Sequence, residues 1–126
     1  MQIEQYRQYL DMMNQWLILK QEGKSIEHYL LKKGYHTIAI YGMAVYGRHL
    51  VRELCGTSIE IAYGIDRKKM NPYKEIQILS PGAELPEVKV IINTVIHEHM
   101  TIKKNLSEII KSPVVSLEDV IFESYN

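Results

Sequence analysis

Cysteine is almost absent from these 126 residues, where Cys55 stands alone. A single thiol excludes an intrachain disulfide and any cysteine-rich zinc site, and it fits a reducing compartment. Net charge is missing too, with 15 Lys and Arg against 15 Asp and Glu. A balanced chain does not hold nucleic acid by bulk charge, so no nucleic-acid partner is expected. No uncharged apolar run approaches the roughly 18 residues of a membrane span. The first residues lack the apolar centre of a secretory signal. No membrane span and a cytoplasmic home are therefore expected. The chain shows no internal repeat, no low-complexity tract, no Tyr-x-x-x-Lys pair, no paired carboxylates and no serine triad.

What is present reads as an ordinary globular domain. Hydrophobic residues make up 46% and charged residues 24%, which is average for a folded soluble chain. One domain is expected at this length. Such a chain buries about two thirds of its unfolded surface and needs no staple.

The first stretch, Gln2 to Gln21, has no Pro or Gly and reads as a helix. Ile3, Tyr6, Leu10, Met13 and Leu17 are spaced 3, 4, 3, 4, and a second stripe runs Tyr9, Met12, Trp16, Leu19. Two readings stay open. Either the helix packs on its own domain, or the 3,4 stripe is the seam of a homodimer. Gly23 breaks the helix, Ser25 suits an N-cap, and Ile26 to Lys33 forms a short second helix closed by Gly34. Residues 1–34 are thus a helical N-terminal arm.

From residue 35 to 126 the pattern becomes α/β. Thr37 to Tyr41 is a continuous apolar run, suited to a strand buried on both faces. Val45 to Cys55 is helical, Ile59 to Ile65 a second strand, and Ile76 to Leu79 a short strand at a sheet edge. Val88 to Asn93 is a buried strand, His97 to Lys111 a helix, Pro113 to Ser116 a last strand, and Leu117 to Glu123 a last helix. Alternating strands and helices predict βαβ units in a doubly wound, mainly parallel sheet of about five strands.

The strongest chemical signal is the turn Gly42-Met43-Ala44-Val45-Tyr46-Gly47, between the first strand and its helix. The dinucleotide fingerprint G-x-G-x-x-G falls at such a junction. Gly42 serves the tight turn and Gly47 the close approach of the helix. Ala44 holds the middle place, where its methyl group crowds a pyrophosphate. The helix N-terminus still offers free N–H groups and partial positive charge. Asp66 lies 24 residues after Gly42 at the end of the second strand, where an acid accepts from a ribose hydroxyl. The structural alternative is that both glycines serve only the turn and Asp66 only caps a loop.

Arg67, in the polar loop Arg67-Lys68-Lys69, suits a 2′-phosphate or plain solvation, and Arg48, one residue after Gly47, a phosphate, a partner or plain solvation. Asn93 and Thr94 end the fourth strand, and His97-Glu98-His99 follows. These residues belong at the carboxyl end of the strands, where open α/β sheets bind ligands. His97 is expected on the wall of the crevice with Asn93 and Thr94. No metal is expected, because residues two apart on a helix do not share a face. Cys55, at a helix C-terminus, is expected to be an inert buried thiol.

The run Ile38 to Gly47, followed by Tyr63-Gly64-Ile65-Asp66, resembles the small Rossmann-like domains of bacterial surface-polysaccharide proteins. These occur beside glycosyltransferase and sugar-modifying modules. A looser similarity is to the nucleotide-sugar-binding half of bacterial sugar acyltransferases and to the C-terminal Rossmann-like domain of sugar C-methyltransferases. The resemblance spans residues 14–123. It implies that Gly42 and Gly47 are the phosphate-loop glycines and Asp66 the acid after the second strand. The hexapeptide-repeat half of the acyltransferases and the methyl-transferring domain have no counterpart in these residues. The implied function is a binding module for a nucleotide, a nucleotide-sugar or NAD(P), without catalysis of its own. The alternative is a ligand-free interaction or oligomerisation module of a glycosyltransferase system. An oxidoreductase ranks below both, because it needs a second domain to hold substrate over the nicotinamide.

Overall fold

The computed structural model describes residues 2–68 and 75–126; Lys69 of the polar loop lies outside them. The element order is α1 (Ile3–Gln21), α2 (Ile26–Lys32), β1 (Thr37–Tyr41), α3 (Val45–Leu54) and β2 (Glu60–Ile65). There follow β3 (Ile78–Leu79), β4 (Val90–Asn93), α4 (His99–Ser107), β5 (Val114–Ser116) and α5 (Leu117–Glu123). The five strands form one sheet in the order β3-β2-β1-β4-β5, and every pairing is parallel. This is the doubly wound α/β architecture expected from the alternation, with β3 at an edge. The order reverses at β1, whose neighbours β2 and β4 lead away from it on opposite sides.

Some boundaries move for local reasons. The helix expected from His97 begins at His99, because Ile96–Glu98 winds into a 3-10 turn first. It ends at Ser107, whose hydroxyl turns back to the Lys103 carbonyl. The edge strand shrinks to Ile78–Leu79, paired only with Gly64 and Ile65. Ser25 caps α2 as expected, accepting from the His28 N–H at 3.2 Å. Cys55 is exposed rather than buried. It stands just past the end of α3, outside the buried stripe of Leu50, Val51 and Leu54.

The helices are shared unequally between the two faces of the sheet. One core joins Ile38, Ile40, Val90 and Ile92 to α1, α2, α3 and α5. The other joins Ala39, Tyr63, Ile65 and Ile91 to α4 alone among the described helices, with Val88 and Leu85 beside it. Residues after 35 thus supply helices to both faces, α3 and α5 to one and α4 to the other, and α1 and α2 add to the first. The arm is part of the covering of one face. Its stripe Tyr9, Met12, Trp16 and Leu19 is buried there, and burial of such side chains contributes roughly 1.5–3 kcal/mol each.

Polar contacts fix the arm's position. Glu53 accepts from Trp16 Nε1 at 3.2 Å, from Lys20 Nζ at 2.9 Å and from the Ile26 N–H at 3.3 Å. The first and last helices also meet. Gln8 Nε2 donates to Glu118 at 3.2 Å, Tyr29 donates to Glu123 at 2.9 Å, and the Tyr125 hydroxyl donates to the Gln15 carbonyl. No helix of the described residues is long and apolar enough to cross a membrane.

Candidate functional site

The carboxyl ends of β1, β2 and β4 meet where the strand order reverses, the usual place for a ligand crevice in an open α/β sheet. The glycine turn is built there for geometric reasons. Gly42 has φ +88°, a region open to glycine at little cost. A Cβ on it would lie 2.5 Å from Thr94 Oγ1 and 2.9 Å from Val95 Cγ2. At Gly47, a Cβ would collide with the Gly42 carbonyl oxygen. Both glycines are thus required by packing alone. α3 then starts with Ala44 as N-cap and no side chain on its free donors. Its first turn carries no acidic residue of its own, and the carboxylate nearest its positive end is that of Asp66, which accepts from the Met43 N–H just before the N-cap.

Asp66 closes the loop from the β2 side. Its Oδ2 accepts the Met43 N–H at 2.7 Å, and its Oδ1 accepts the Lys68 N–H at 2.9 Å. A carboxylate has about four lone-pair positions, so each oxygen keeps one for a further donor. The Met43 side chain is buried and packs into the space left by Gly64, where a Cβ would meet it at 2.8 Å. Gly64 read as an ordinary strand residue in the sequence; its role is to admit Met43.

A cavity of about 240 Å³ opens beside this clamp. Gly42, Asp66 and Arg67 line it together with Tyr41, Ile65, Lys68, Val95, Glu98 and Ile102. Arg67 and Lys68 are exposed cations, set against the carboxylates of Asp66 and Glu98. Lys68 and Glu98 were not singled out in the sequence as site residues. Lys68 is brought in by the turn that Asp66 caps, and Glu98 by the 3-10 turn that precedes α4.

The other expected residues sit elsewhere. Asn93 is fully buried. Its Oδ1 accepts the Val95 N–H at 2.9 Å, and its Nδ2 lies 3.2 Å from the Val95 carbonyl and 3.1 Å from His99 Nδ1. The Thr94 hydroxyl lies 2.9 Å from the carbonyls of both Tyr41 and Gly42, to which it donates. Neither side chain lines the cavity; both hold the backbone beneath it. Met43 is core, while Ala44 and Val45 are exposed at the start of α3.

His97 and Tyr46 meet the arm. The Tyr9 hydroxyl is 2.9 Å from His97 Nδ1, and the Tyr9 ring stacks on Tyr46 with centroids 4.5 Å apart and planes 15° apart. Burial raises the pKa of the Tyr9 hydroxyl above the ordinary tyrosine value, against the opposite pull of the nearby Ile96 and His97 backbone. The phenol therefore stays neutral and is tied to the 3-10 turn through the His97 ring. No sequence signal distinguished Tyr9 from its stripe neighbours, because its ring serves the core and only its oxygen reaches the turn. His97 and His99 answer to different partners. Among the described residues no group of three or more His, Cys, Asp or Glu side chains is placed to hold a metal ion.

No protein-family model, no curated protein and no solved structure matches the chain.

Proposed function

We propose that the crevice binds a nucleotide or nucleotide-sugar, as a cytoplasmic binding module in bacterial surface-glycan synthesis. The observation that carries this reading is the Asp66 clamp. A carboxylate with spare acceptor capacity stands over a glycine turn, beside an uncapped helix N-terminus and two exposed cations. A ribose hydroxyl would donate to Asp66, and a diphosphate would take the free N–H groups of α3. Drug-sized ligands fill roughly 300–1,000 Å³, and the cavity is smaller. It suits a ribose held at Asp66, with the rest of the ligand lying outside. Ala44 crowds the close approach of any pyrophosphate, so weak binding is expected of a nucleotide-sugar and of NAD(P) alike. Binding is the proposed activity, carried by the Asp66 carboxylate and the cations beside it.

Calorimetric titration with UDP-sugars, NAD and NADP tests it. The expected result is weak binding of a diphosphate nucleotide, lost in Asp66→Ala without unfolding. Absence of heat at millimolar concentration of all of them would overturn the ligand reading.

One observation favours a second reading. Asp66 already satisfies two backbone N–H groups of its own chain, as a loop cap would in a fold kept for protein interaction. An Asp66→Ala variant that unfolds would support it.

A further inference from the structure

The arm helix carries two apolar stripes, and only one is covered. Tyr9, Met12, Trp16 and Leu19 are buried. On the other stripe, Ile3 is 78% exposed, Tyr6 61%, Leu10 68% and Leu17 57%, with Met13 half-buried among them. A row of large apolar side chains along a helix of 19 residues, roughly 28 Å, is the kind of surface that marks an interface. Its 3, 4, 3, 4 spacing narrows the partner, because knobs at that interval fit the holes of a helix with the same interval.

We infer that this stripe pairs with a second copy of the chain, antiparallel, across a two-fold axis passing between Leu10 and Met13. The inference gives the interaction reading its partner and rests on that reading; ligand binding is not needed for it. Two observations select the orientation. First, a groove of about 400 Å³ lies beside Leu17, between α1 and α3, with Trp16 and Met13 on one side and His49 and Arg52 on the other. The antiparallel register sets the partner's Tyr6 opposite Leu17, at the mouth of this groove. Its ring enters apolar surface while its hydroxyl stays near polar groups, and Arg52 offers a cation to the ring face. The two-fold axis fills both grooves at once. A parallel pair would set Tyr6 against Tyr6 and leave both grooves empty. Second, Glu4 lies in the first turn of α1 and Lys20 in the last. Lys20 already pairs with Glu53, so antiparallel pairing sets the Glu4 carboxylate by the groove where Lys20 and Arg52 outnumber Glu53 and opposes the two helix dipoles favourably, whereas parallel pairing aligns like with like.

Sedimentation equilibrium of the full chain, from micromolar to millimolar concentration, is the test. A concentration-dependent dimer is expected, with Leu10→Glu and Tyr6→Ala each weakening association at least tenfold. Both positions are exposed, so the emission of Trp16 and the melting curve should stay as in the parent. Should Leu10→Glu disturb the fold, Leu17→Lys gives the same reading from another exposed position. A parent that stays monomeric throughout, or a dimer indifferent to these substitutions, overturns the inference. Orientation is read by oxidation in a Cys55→Ser background. Tyr6→Cys combined with Leu17→Cys should cross-link, and Leu17→Cys alone should not. A cross-link through Leu17→Cys alone overturns the antiparallel register. Nucleotide titration of the monomeric Leu10→Glu variant keeps the two proposals apart, since its binding should equal that of the parent.

Discussion

The β2 and β4 sides of the crevice start from similar sequence and end in opposite states. Both strands finish on polar residues, Asp66 after Ile65 and Asn93 with Thr94. On the β4 side these side chains are buried and turned back onto the backbone of the glycine turn and the 3-10 turn. On the β2 side Asp66 is half-buried, and Arg67 and Lys68 face solvent around a cavity. The difference follows from Gly42. Its left-handed turn brings the Gly42 carbonyl within reach of Thr94, so the β4 side is consumed in holding the loop. The β2 side holds it with one carboxylate and remains open. A polar strand end is therefore a candidate site only where the neighbouring backbone leaves its side chain uncommitted.

The largest expected effect breaks the loop that both sides share. Gly47→Ala drives a methyl group into the Gly42 carbonyl oxygen; a cost of at least ~3 kcal/mol is expected, and thermal unfolding should show it. Thr94→Val tests the β4 side by itself. It leaves the buried Gly42 carbonyl without its hydroxyl donor, so a loss of about 1–2 kcal/mol is expected in denaturant unfolding. Ligand affinity of the surviving folded protein should be unchanged. A fall in affinity at constant stability would instead place Thr94 in the binding site.

A smaller effect depends on pH. His99 accepts the Asn93 amide at Nδ1, and burial, with help from Lys103, holds its pKa below the ordinary histidine value, against the opposite pull of Asp119 and Glu118. The folded state thus binds fewer protons than the unfolded state between the lowered value and about 6.5. Stability should fall as pH drops below about 6.5 and level off once pH passes the folded value. Melting temperature against pH should show this slope, and His99→Asn should remove that part of it. The smallest change belongs to the β2 side. Arg67→Ala touches an exposed side chain, so its effect on stability should stay within ~0.5 kcal/mol, while the affinity for a diphosphate nucleotide should fall. Equal affinity in Arg67→Ala would remove that cation from the site.

Much of the fold was legible because strands buried on both faces leave continuous apolar runs, as at Thr37 to Tyr41 and Val90 to Asn93. The turn Gly42 to Gly47 was legible because close approach leaves glycine as its trace. The fate of Asn93 and Thr94 was not, since a hydrogen bond to a carbonyl more than fifty residues away has no local signature. Nor was the choice between the two stripes of α1. Both are apolar, and only the placement of α3 and α5 decides which one the domain covers. The expected burial of Cys55 failed because a thiol counts as apolar while its position past the end of α3 points it outward.

The joining of α1 to α5 carries a consequence for how the chain is made. The partners of Gln8, Gln15 and Tyr29 are Glu118, Tyr125 and Glu123, about a hundred residues further along. A ribosome delivers the arm well before these partners. Until they emerge, the buried stripe of α1 lacks the side chains of α5 that share its core, and the exposed stripe is open as well. Such a nascent chain shows apolar surface on two sides of one helix, the condition under which chaperones are recruited and like chains collide. Non-local closure of this kind also slows folding, so the domain should become protease-resistant as one late event after residues 117–125 are released, with no stable amino-terminal intermediate before it.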